Sequence, residues 1–188
     1  ISGEYATAGY GVGTRIEQVV LLPILGINTA IISIIAQNYG ANNFNRIKET
    51  YFTAIKYAFI IMITAGTLVF LSANIITSFF SSDPEVIEYG KRYLRISAFV
   101  LPAYPVFFLS NGFFMALKKS ENAMISNLFR NVMNPIVVFY IAKYFNASFD
   151  TFFWTWVGIN WFFSISYFFI ILYYFKSRLD KSSAIVHP

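Results

Sequence analysis

The sequence contains no cysteine, which excludes disulfides, thiol catalysis and thiolate metal sites. Its single histidine, His187, is the penultimate residue, so imidazole has no place in the body of the chain. Charged residues are only 12% of the total, about half the share usual in a soluble domain. A membrane-embedded enzyme needs His, Asp or Cys clustered at one depth. No such cluster is visible, and neither a catalytic residue nor a metal site is expected. No long stretch alternates with period two, which argues against a membrane β-barrel. The chain opens at Ile1 with no charged segment leading into a short apolar core and cleavage site, so no signal peptide is read. The expectation is a piece cut from the C-terminal end of a longer protein.

What is present is apolar bulk. Hydrophobic residues make up 57% and aromatics 20% of the 188 residues, more apolar surface than a core of this size hides from water. The solvent that suits it is a bilayer. Five runs are long enough to cross a hydrocarbon core of about 30 Å, which takes about 20 helical residues. They lie at about Tyr5–Gln37 (its start open as far as Val12), Tyr51–Phe80, Tyr93–Leu117, Ala123–Phe145 and Thr151–Phe175. The fold class is therefore all-α, a polytopic transmembrane bundle of about five spans, with residues 1–175 as the membrane body and 176–188 as a loose polar tail. The connections carry turn chemistry: Gly40 as a helix C-cap, and Ser82 or Asp83 as the N-cap of a short helix with Pro84 in its first position.

The formal charge is +5. The basic residues sit between apolar runs, so they read as topology signals and not as a nucleic-acid surface. Nine of the fourteen, Arg46, Lys48, Lys56, Lys118, Lys119, Arg130, Lys176, Arg178 and Lys181, fall on one side. By the positive-inside rule that side is cytoplasmic, which puts the C-terminus in the cytoplasm and the start of the first span outside.

Polar groups within spans face other helices or a wet cavity, because lipid cannot satisfy them. The first span carries Glu17 and Asn28, eleven apart and within about 20° on one face of an unbroken helix; Pro23 between them predicts a kink. A carboxylate at depth costs about 2.5–3.5 kcal/mol unless it binds a proton, a cation or an arginine, and Arg15, two residues away, points elsewhere. Glu17 with Asn28 is thus the candidate proton or cation locus, set against a carboxylate that reaches the interface. The fourth span carries the row Asn127, Arg130, Asn131 and Asn134 on a face about 100° wide, followed by Pro135. Arg130 either joins that row or reaches for the surface. The third span has Pro102, Pro105 and Asn111, and the fifth Asn160. Two prolines three apart imply a bent helix with freed carbonyls. Asn111, Asn127, Arg130, Asn131, Asn134 and Asn160 are the candidate cavity-lining residues. Pro23, Pro102, Pro105 and Pro135 are the candidate bends for gating. The competing reading of each asparagine is glue between helices. Gly9, Gly11 and Gly13 do not match a phosphate loop and suit close helix packing.

The stretch AGYGVGTRIEQVVLLPILGINTAIISIIAQNYGANNFNRIKETY, with Gly11, Arg15, Pro23, Gly26, Ala30 and the exit Gln37-Asn38-x-Gly40-Ala41, resembles the eighth span and following loop of multidrug and toxic compound extrusion (MATE) transporters. FFSSDPEVIEYGKRYLRI and MISNLFRNVMNPI resemble the segment before the tenth span and the start of the eleventh. The resemblance implies a twelve-span exporter of two lobes in the plasma membrane, of which this chain supplies the C-terminal lobe. It implies a small amphipathic substrate, a partner lobe N-terminal to this one, and Na⁺ or H⁺ as the coupling ion, with no other cofactor. It also implies an acidic coupling site in the seventh or tenth span or in the other lobe. The third span here has no acid, so Glu17 is read from the residues and not carried over. The alternatives are a flippase for lipid-linked precursors, whose fold is related, and a non-transporting membrane scaffold.

Overall fold

A computed structural model describes residues 3–144 and 148–185, with side chains at 122, 123, 126, 142 and 178–185 excepted; residues 145–147, His187 and the side chains of Arg178 and Lys181 lie outside the described residues. Among the described residues the chain is all helix. Five rods form: α1 (Glu4–Gly40), α2 (Phe44–Phe80), a broken rod made of α3 (Pro84–Ser97), a 3₁₀ turn (Leu101–Ala103) and α4 (Tyr104–Ala116), then α5 (Ser120–Tyr144) and α6 (Phe149–Ile185). Four stretches, Glu4–Gly40, Phe44–Phe80, Pro84–Ala116 and Phe149–Ser177, are long and apolar enough to cross a membrane. α5, with 25 residues, is about 37 Å long at about 1.5 Å per residue.

The element ends follow local chemistry. Asn43 caps α2, its side chain accepting from the Arg46 amide at 3.2 Å. The left-handed residue in that loop is Asn42, with φ 56°, and not Gly40, which closes α1; a short amide side chain tolerates this region. Of the two candidate caps for the next helix, Asp83 holds it, accepting from Glu85 and Val86 amides at 2.9 and 3.4 Å with Pro84 in the first turn. That helix runs on through Tyr93 to Ser97, so the expected short helix and the start of the third span are one element. The tail expected to be loose continues α6 in helix through Ile185.

Pro23 does not interrupt α1. The buried positions Ala6, Gly9, Gly13, Ile24, Ile31 and Ile35 keep one helical face across it, while Pro23 itself is exposed. Pro135 likewise sits exposed within a continuous α5. The break occurs where two prolines lie close together. Pro102 and Pro105 each remove an amide donor, and the chain makes a 3₁₀ turn between α3 and α4. α6 donates to two carbonyls at the break: Trp161 Nε1 to Phe99 O at 2.9 Å and Ser164 Oγ to Ala103 O at 2.8 Å.

The apolar core lies in two clusters along the bundle axis. One gathers Tyr51, Phe107, Phe113, Tyr167 and Phe175. The other gathers Met62, Tyr93, Leu101, Tyr104 and Phe153 around the break. Much of the remaining apolar surface is turned outward: Leu71, Ile75, Leu128, Phe139 and Tyr173 are each more than half exposed, as expected where the solvent is hydrocarbon.

Candidate functional site

The site is built on α1 by small residues. Gly13 lies one turn before Glu17, and a Cβ there would stand 2.1 Å from Cδ1 of Tyr93. The missing side chain lets the Tyr93 ring lie against α1 and carry its hydroxyl to the carboxylate of Glu17, where it donates to Oε2 at 2.5 Å. Tyr104 donates to the other oxygen, Oε1, also at 2.5 Å. Both tyrosines are almost wholly buried, and Glu17 is half-buried between them. The carboxylate therefore turns toward α3 and α4. Each of its oxygens holds a phenol, and hydrogen bonds to an ionised acceptor are short and about twice as strong as neutral ones.

The two phenols come from opposite sides of the break, Tyr93 from α3 and Tyr104 from the first position of α4. One carboxylate thus clasps both halves of the broken rod to α1. Behind Tyr104 stands Arg130. Its guanidinium lies 5.9 Å from the Tyr104 ring centroid and 4.1 Å from that of Phe107, a cation–π arrangement. Nε and Nη2 of Arg130 donate to Asn160 Oδ1 at 3.1 and 2.5 Å, and Asn160 Nδ2 donates to Trp156 O at 2.8 Å. Arg130 therefore turns into the bundle and does not snorkel. Among the described residues the ion pairs are Arg46–Glu49, Glu88–Lys91 and Arg92–Asp150, so Glu17 and Arg130 are linked through Tyr104 and not by direct contact.

A second polar group adjoins the first through Phe107. Asn111 Nδ2 donates to Phe107 O at 2.9 Å, and Asn127 Nδ2 donates to Asn111 Oδ1 at 3.1 Å. Four of the candidate residues, Asn111, Asn127, Arg130 and Asn160, thus meet between α4, α5 and α6.

The other candidates separate from them. Asn28 does not join Glu17: at about 1.5 Å per residue it lies roughly 16 Å along α1, although on the same face. It packs instead on Gly112 of α4, where a Cβ would stand 2.0 Å from its Oδ1, and that buried oxygen has no hydrogen-bond partner. Asn131 is exposed, while Asn134 points a buried, unpartnered Oδ1 inward. Close packing accounts for Gly9, where an added Cβ would stand 2.7 Å from the Gly90 amide nitrogen, but Gly11 faces open space. Tyr93 and Tyr104 are the residues that sequence reasoning missed. The signal for them was their position, Tyr93 before the two prolines and Tyr104 between them, as hydroxyls beside a span that must answer a buried acid.

Comparison with known proteins agrees with this architecture. The MatE family profile matches residues 1–141. The chain is 25% identical over 156 residues to a probable multidrug resistance protein, YpnP of Bacillus subtilis, covering 83% of this chain and 33% of that protein. It is 26% identical over 146 residues to the multidrug export protein MepA of Staphylococcus haemolyticus, covering 78% and 32%. The chain thus spans about a third of the length of the curated relatives it matches. A crystal structure of MATE in the bent conformation superposes with a TM-score of 0.88 at 24% identity, over 97% of this chain and 40% of that one; that likeness concerns the fold. With the profile covering most of the sequence and the helical bundle matching throughout, the chain belongs to the MatE family of membrane transporters.

Proposed function

We propose that this chain acts as the C-terminal lobe of a secondary exporter in the plasma membrane. Organic cations or other amphipathic compounds would leave by alternating access in exchange for H⁺ or Na⁺, with Glu17 carrying the coupling. The observation that carries the reading is the clasp: one carboxylate, its two oxygens bound by Tyr93 and Tyr104, spans a break in the rod to which both tyrosines belong. Ionised, Glu17 accepts two charge-assisted hydrogen bonds and holds α3 and α4 against α1. Protonated, it keeps only neutral ones, about half as strong, and the halves of the broken rod are freer to rotate. We read the coupling ion as a proton, because a proton needs one lone pair of a carboxylate already holding two phenols, whereas Na⁺ needs a shell of several oxygens. Arg130, held by Asn160, balances the ionised state across the Tyr104 ring.

The test is dye export by the full-length protein in proteoliposomes, driven by a pH gradient or by a Na⁺ gradient. Glu17→Gln keeps the shape and removes the ionisation, and is expected to bind the dye but lose gradient-driven exchange. Tyr104→Phe keeps the ring over which Arg130 sits and is expected to shift the pH profile of transport. Exchange at the wild-type rate in Glu17→Gln removes Glu17 from the mechanism; drive by Na⁺ alone replaces the proton.

A further inference from the structure

On the face of the break turned away from Glu17 there is an open crevice of about 580 Å³, within the ~300–1,000 Å³ range of small-molecule sites. Its walls are α2 (Gly66, Thr67 and Phe70), the break itself (Phe99 and Pro102) and α6 (Trp154 and Trp161); among the described residues none of α1 or α5 lines it. At its floor Gly66 lets α2 approach the break, where an added Cβ would lie 2.9 Å from Ala98 O, beside the 3₁₀ turn between α3 and α4. The lining is almost entirely apolar, and Phe70 and Trp154 at its rim are partly exposed. Over Phe70 lies the exposed guanidinium of Arg95, 5.6 Å from the ring centroid. Charge and apolar slot thus sit end to end, with Trp154 beside them at the end of the bundle where α6 begins.

We propose that this crevice holds one acyl chain of a membrane phospholipid whose phosphate is bound by Arg95. The charge arrangement selects that occupant. The exposed guanidinium offers paired N–H donors to the two non-bridging oxygens of a phosphodiester, and the apolar slot beside it offers an acyl chain nothing to desolvate. An organic cation would meet Arg95 as a like charge. The lipid would press on the break from the side opposite the Glu17 clasp, so that occupancy bears on the rotation of α4 against α3.

The experiment uses the full-length protein in vesicles doped with a phospholipid carrying a diazirine midway along one chain, and a second lipid with the same chain but no phosphate (a diacylglycerol). After illumination the cross-linked peptides are mapped. The expected result is labelling within 63–71 and 154–161 by the phospholipid, about ten-fold above the diacylglycerol. Thr67→Trp fills the slot from its exposed wall and is expected to abolish the labelling. Arg95→Gln, a change at an exposed position, is expected to level the two lipids while labelling persists. Labelling unchanged in Thr67→Trp, no preference for phosphate in the wild type, or displacement of the phospholipid by a cationic dye would each overturn the proposal.

Discussion

Glu17 holds its two hydroxyl donors only because other residues are small. The Tyr93 ring occupies the space where a Gly13 side chain would stand, and Tyr10 and Phe153 flank that ring at 5.1 and 4.9 Å between centroids. The ring has no direction in which to retreat. Gly13→Val is therefore expected to destabilise the protein by about 1–3 kcal/mol through overpacking and to detach the Tyr93 hydroxyl from Glu17. Thermal unfolding in detergent checks the first. For the second, Gly13→Val combined with Tyr93→Phe should transport no worse than Gly13→Val alone, since the hydroxyl removed is already displaced.

At the scale of elements, the broken rod differs from the helices around it. α1 and α5 each carry one proline and stay helical, because one lost amide bond in a long helix leaves its neighbours to hold the register. Pro102 and Pro105 fall within one turn of each other, and α6 adds two hydrogen bonds to carbonyls of that segment. Removing them tests whether α6 splints the break. Ser164→Ala and Trp161→Phe each delete one hydrogen bond to its carbonyls, worth about 0.6 kcal/mol on average and up to about 1.7 inside a membrane. Faster hydrogen exchange confined to residues 98–107 is the expected outcome. An increase spread evenly along α4 and α6 would mean that the two side chains merely add to general stability.

For the whole molecule the open physical question is orientation. The positive-inside rule predicts the α4–α5 turn in the cytoplasm and the α2–α3 loop outside. Because the chain has no cysteine, each single substitution introduces the one thiol of this lobe, and the unsubstituted protein sets the background. Ser120→Cys is expected to resist a membrane-impermeant thiol reagent added to intact cells, and Ser82→Cys to react with it. The reverse pattern would invert the bundle, along with the leaflet from which a lipid reaches Arg95. At the α2–α3 end, the partly exposed Arg92–Asp150 pair joins α3 to α6. Its exposure limits it to about 1 kcal/mol or less, so its use is in registering the two elements and not in holding the fold.

The sequence alone pointed to a chain in lipid, to its long apolar runs and to a bend at Pro102 and Pro105, since these depend on run length and missing amides within one segment; it equally expected bends at Pro23 and Pro135, where the helices run on. It also singled out Glu17, because a carboxylate amid hydrocarbon is costly wherever it is folded. Only the tertiary structure decided what answers that cost. Tyr93 and Tyr104 lie 76 and 87 residues further along the chain, among many aromatics of the same outward type, and no local pattern separates a phenol that meets a carboxylate from one that faces acyl chains. The separation of Asn28 from Glu17, the inward turn of Arg130 and the exposure of Asn131 have the same cause. A shared helical face sets direction around an axis but says nothing of which neighbour waits at each level along it.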